Sequence, residues 1–178
     1  RLSEGGTERE LRPHDIAVLV GTNRRGREIA EALTAAGVAV AFSGSDSVFR
    51  SAAARDWLTL LRALEEPRRQ TTRAAVLTDF VGGDLAALAG ADEEQLAAWC
   101  AMLQNWSRLL ARSGVAALFA AVQEESGLAE RVLGSSFGER TLTDYRHLAE
   151  LLHERYTAGT RGQALVAWLA EAIESGMV

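Results

Sequence analysis

The side chains able to do chemistry in this chain are few, and their types exclude more than they permit. All 19 basic residues are arginines. Without lysine there is no amine for a Schiff base and no ammonium for a phosphate-binding P-loop. The single cysteine, Cys100, excludes an internal disulfide and any multi-cysteine metal site. His14, His147 and His153 match no zinc spacing. Asp92, Glu93 and Glu94 precede an amphipathic run, where a helix dipole favours them, and they form no acid–base pair. The sequence therefore offers no catalytic residue, no metal ligand set and no cofactor site.

What remains is arginine chemistry. Gly21 to Arg27 sets Thr22, Asn23, Arg24, Arg25 and Arg27 at the start of a helix. Backbone N–H groups, the helix dipole and guanidinium forks all suit phosphate oxygens there. A second group, Arg68, Arg69 and Arg73, follows Pro67, but Glu65 and Glu66 beside it favour a surface ion-pair cluster. Residues 1–73 hold 12 Arg against 10 acidic residues, net +2, and residues 74–178 hold 7 against 14, net −7. The first part can face an anion; the remainder has no broad basic surface for nucleic acid. Four tryptophans could stack on bases. Trp57, Trp99 and Trp168 lie on apolar helical faces and are expected in the core, with Trp106 the most exposed. His147 and His153 do not share a helical face, and Cys100 reads as a small buried hydrophobe.

The elements that must position these groups follow from spacing. Ile16 to Val20 is a short β-branched run expected to be a buried strand. Residues 26–36 have helical spacing, with Gly37 as a left-handed cap, and Val38 to Phe42 is a second strand. Strand, helix and strand make a βαβ unit with parallel strands, whose carboxyl-end loop is the usual ligand site. Helices then follow: from Ser51 to about Glu66, over 71–78, after Asp84, and after Asp92 with Gln95 as a capping box. Ser113 and Ser126 are candidate caps for helices over 114–125 and 127–133. Thr143 and Thr160 start the last two.

The expected fold class is mainly α: a small N-terminal βαβ unit over 1–50, then a helical domain over 51–178. At 178 residues this is one ordinary domain or two small ones. No apolar run reaches the ~18 residues of a membrane helix, and no secretory signal is visible. Both fit a cytoplasmic protein. The polar start, without Met, suggests a chain cut from something longer.

The order of these signals resembles one segment of the superfamily 1 DNA helicases of the UvrD/Rep group. Asp15-Ile-Ala-Val-Leu19, then Thr22-Asn23, is similar to that family's "D-I-A-V-L-x-R-T-N". Gly44 to Phe49, Ala54 to Arg62 and Pro67 continue the likeness. Asp46 to Phe49, Gly138 to Asp144, His147 to Leu152 and Ala164 to Leu169 look most like its RecB branch, the beta subunits of exodeoxyribonuclease V. The resemblance covers nearly the whole chain. It implies the edge of the second RecA-like motor domain and most of the helical accessory 2B domain.

The intact proteins would bind ATP and Mg, unwind and degrade DNA from duplex ends in double-strand-break repair and recombination, and assemble with sister subunits. Their Walker and nuclease lysines would lie elsewhere, leaving this piece inactive alone. In relatives the loop at 21–23 contacts single-stranded DNA through an Arg and, two residues on, an Asn. Asn23 matches; Gly21 stands in place of the Arg, whose role could pass to Arg24 or Arg25. Phe80-Val-Gly-Gly83 falls where relatives carry an R-G-I-G loop that grips duplex DNA through backbone N–H groups. Only Gly83 matches, and a plain helix-linking turn is expected. The alternative class is a helical protein-interaction module with no DNA role of its own.

Overall fold

The computed structural model describes residues 2–4, 7–9, 12, 15–40, 47–135 and 137–176; for 2–4, 7–9, 23, 24 and 27 only the backbone is described. The chain divides into two compact units, Arg1–Asp46 and Ser47–Val178.

In the first unit, strands β1 (Leu2–Glu4) and β2 (Thr7–Arg9) form an antiparallel hairpin with Ser3 opposite Glu8. Helix α1 (Asn23–Ala35) begins three residues before the sequence spacing requires. Thr22 explains the earlier start: its hydroxyl accepts the Arg25 N–H at 3.4 Å, satisfying one orphan donor of the first turn. Gly37 ends the helix with φ +78°, as its cap position requires.

The expected βαβ unit does not form. Ile16 to Val20 joins no ladder among the described residues, and Leu19 is 95% exposed. Val38 to Val40 is also irregular, and Ala41 and Phe42 lie outside the described residues. The hairpin is the only ladder among the described residues. The physical reason is that a parallel strand owes its hydrogen bonds and its burial to neighbouring strands and covering helices. An isolated pair has neither. A β-branched run states a preference, which nothing here satisfies.

The second unit is helical. After a 3₁₀ turn at Val48–Arg50 come α2 (Ala52–Glu65), α3 (Arg69–Val76), α4 (Leu85–Gly90) and α5 (Glu93–Ser126). Helices α6 (Leu128–Leu133), α7 (Gly138–Thr157) and α8 (Gln163–Ser175) complete it. Side chains cap three starts: Ser51 accepts from Ala54 N–H, Asp84 from Ala87 N–H and Asp92 from Gln95 N–H, at 3.1, 2.7 and 2.8 Å. Helix α7 starts five residues before Thr143. The centre is α2, which packs against α3, α5, α7 and α8. Its buried face carries Ala53, Ala54, Trp57, Leu60, Leu61 and Leu64, at helical spacing. Each large apolar side chain so buried contributes about 1.5–3 kcal/mol.

Helix α5 is two arms. Gly114 has φ +80° and ψ −175°, a conformation open essentially to glycine alone. The Trp106 indole N–H donates to Glu125 Oε2 at 2.7 Å. In a straight helix those residues would be about 28 Å apart, so the chain folds back at Gly114. The sequence placed a helix boundary here, at Ser113. The fold-back also buries Trp106 to 1% exposure, reversing the expectation that it is the exposed tryptophan. Among the described residues, no helix is long and apolar enough to cross a membrane.

Candidate nucleic-acid interface

The best sequence candidates sit at the N-terminus of α1, in the first unit. Thr22 spends its hydroxyl on the cap, and its carbonyl accepts the Gly26 N–H at 3.1 Å. Asn23, Arg24, Arg25 and Arg27 all fall in the first two turns of the helix, and Arg25 is exposed. The side chains of Asn23, Arg24 and Arg27 lie outside the described residues. Gly21 is exposed, and a Cβ built there meets nothing within 4 Å. The fold thus does not demand glycine at the position where the helicase resemblance implies an Arg.

The other candidates lie in the second unit. Arg68, 3.3 Å from Glu66, forms an exposed ion pair, and its backbone N–H donates to Thr71 Oγ1 at the start of α3. Arg69 and Arg73 are exposed on α3. In the turn after α3, the N–H groups of Val81 and Gly82 donate to Thr78 O, and that of Gly83 donates to Val76 O at 2.8 Å. Those three donors are engaged within the turn in this conformation. Arg131, from α6, braces the turn by donating to the carbonyl oxygens of Asp79 and Phe80.

The aromatic and titratable residues are mostly structural. Trp57 is fully buried against Phe80 and Phe119. Trp168 is half-buried, with Phe49 edge-on at 5.7 Å and the Arg155 guanidinium 4.9 Å from its ring centre. Its open face is therefore already stacked by a cation. Trp99 and Cys100 are half-buried, and Cys100 Sγ lies 3.8 Å from Thr72 Oγ1. His147 is exposed; His153 is half-buried, with an unpartnered Nδ1 near Gly114. Among the described residues no three His, Cys, Asp or Glu side chains converge to hold a metal.

One cluster had no sequence signal. The buried Tyr145 hydroxyl donates to Asp56 Oδ2 at 2.6 Å and lies 3.1 Å from Asp79 Oδ2. The Asp79 N–H donates to the same Asp56 oxygen at 3.0 Å. These bonds tie α2, the turn after α3 and α7 together. The residues are 66 and 89 positions apart along the chain, so no local spacing could reveal them. Burial pushes the Asp56 carboxyl above its usual range, and the nearby Asp79 charge adds to this, while the hydrogen bonds from Tyr145 and Asp79 oppose it. Burial, reinforced by Asp56, also holds the Tyr145 phenol well above its usual range and therefore neutral.

A carboxyl raised in the folded state lends stability in full below its unfolded pKa, about 3.9. That stability is lost as pH climbs through the raised value. Asp56→Asn should therefore gain on the native chain as pH rises from about 4 through the raised value. Urea unfolding across that range checks it, and a difference that stays constant with pH would count against the assignment.

Comparison with known proteins places the whole chain. No family model matches it. It is 39% identical over 166 residues to "RecBCD enzyme subunit RecB" of Mycobacterium tuberculosis, covering 91% of this chain. It is 37% identical over 174 residues to the Mycolicibacterium smegmatis subunit, covering 94% of this chain. It is 32% identical over 177 residues to that of Escherichia coli, covering 97%. The chain spans about 15% of the length of these relatives. Along nearly its whole length, then, this chain is homologous to one segment of RecB, the RecBCD enzyme subunit.

Proposed function

We propose that this chain is the accessory-domain segment of a RecB-type subunit. The whole protein would be a cytoplasmic, ATP- and Mg-dependent DNA helicase and exodeoxyribonuclease acting in double-strand-break repair and recombination. The segment's own work is positioning: holding DNA and docking sister subunits while catalysis happens elsewhere in the protein. The observation that carries this is homology to RecB over 91% of a chain with no lysine. Such a piece has no phosphate-loop or nuclease lysine, so any cationic side chain it brings to DNA is an arginine.

The N-terminus of α1 is the favoured DNA contact, with Arg24, Arg25 and Arg27 meeting phosphates beside Asn23. Arg68, Arg69, Arg73 and Gly83 are secondary. The net −7 of residues 74–178 favours the alternative, a protein-interaction module without DNA contact. Binding of a duplex with a single-stranded tail separates the two. The chain should bind it at low salt, and replacing the three arginines of α1 by Gln should weaken that binding. Undetectable binding at low salt would favour the module.

A further inference from the structure

The fold-back of α5 creates a cleft of about 270 Å³ lined by Asn105, Trp106, Arg108, Leu109, Arg112 and Glu125. Arg108 and Arg112 are one helical turn apart and exposed. Arg108 donates to the Asn105 side-chain oxygen, and neither arginine has a carboxylate partner among the described residues. Glu125 is tethered at the cleft by the Trp106 indole, through Oε2, which leaves Oε1 to accept from a ligand. Among the described residues the cleft thus presents two arginines without a carboxylate partner beside one anchored carboxylate.

We propose that this cleft receives an acidic peptide segment of a partner protein. Its carboxylates pair with Arg108 and Arg112, whose planar forks suit them. A backbone N–H of the same peptide donates to Glu125. A nucleic-acid backbone fits worse. Its phosphodiesters are acceptors only and would lie against the Glu125 carboxylate without a donor for it. A peptide carries carboxylates and N–H donors side by side. The volume is below the ~300 Å³ at which cofactor-sized pockets begin, and suits one or two side chains.

The site lies in the second unit and uses none of the α1 arginines, so it stands or falls apart from the DNA contact. The probe is a blocked tetrapeptide of alternating Asp and Glu, added to the ¹⁵N-labelled chain. The Trp106 indole N–H signal reports on the cleft directly. It should move saturably with peptide, and an oligothymidylate of equal charge should leave it in place. Replacing Arg108 and Arg112 together by Gln should weaken peptide binding at least about tenfold without unfolding the chain, because both side chains are exposed. A Trp106 signal indifferent to peptide, unchanged peptide affinity in the double variant, or a larger response to the oligonucleotide would each overturn the proposal.

Discussion

Trp57→Ala is expected to remove about 3–5 kcal/mol of stability, as truncation of a large aromatic core residue does. Trp57 is fully buried at the centre of the second unit. It meets the Phe80 ring at 4.8 Å between centroids and Phe119 at 5.6 Å. Its indole N–H donates to the Tyr145 carbonyl at 3.2 Å. Alanine empties that volume and removes the indole's hydrogen bond to the Tyr145 carbonyl, which lies within the α7 ladder. Against a total of about 5–15 kcal/mol for an ordinary domain, the loss leaves little margin. Trp57→Phe should recover part of it, keeping the ring contacts and losing the hydrogen bond. Urea midpoints for the pair check this, and a loss under about 1 kcal/mol for Ala would contradict a central role.

Gly138→Ala should be nearly as costly for the opposite reason. Gly138 is buried at the first position of α7, where the chain turns back from α6. A Cβ there would lie 2.6 Å from Leu133 Cα and closer still to the Val132 carbonyl oxygen. Both obstacles are backbone, so no rotamer change relieves them. The α6–α7 junction has to move, at a cost of about 3 kcal/mol, the upper end for overpacking. Gly21→Ala, at an open site, serves as the control and should change stability by no more than about 0.5 kcal/mol. Equal thermal shifts in the two variants would contradict the close approach at Gly138.

These residues differ in how visible they are in the sequence. Helix α2 was legible because Trp57, Leu61 and Leu64 recur at helical spacing between a Ser51 cap and Pro67. The break in α5 was legible because Ser113 and Gly114 interrupt a helical run. Trp106 was not. Its burial comes from the second arm closing over it after the fold-back, and local periodicity carries no information about that return. The strand at Ile16 to Val20 failed for a related reason. Composition gives the preference of a run, while a strand exists only when something pairs with it and covers it. The Asp56–Asp79–Tyr145 cluster is a tertiary product throughout. At the candidate DNA contact the sequence supplied residue types and a loop. The structure added the Thr22 cap and the open space at Gly21.

That open space makes the central claim testable in both directions. The claim is that the start of α1 meets the phosphates of DNA. The direct measurement is the slope of log affinity against log salt for a tailed duplex, in which each phosphate contact to the single strand contributes about −0.7. Replacing Arg24, Arg25 and Arg27 by Gln should flatten the slope by about two. Gly21→Arg introduces the side chain that the helicase resemblance implies there, and should steepen it by about 0.7 without loss of stability. A slope that neither change moves would contradict DNA contact at α1 and leave the chain as a protein-docking module.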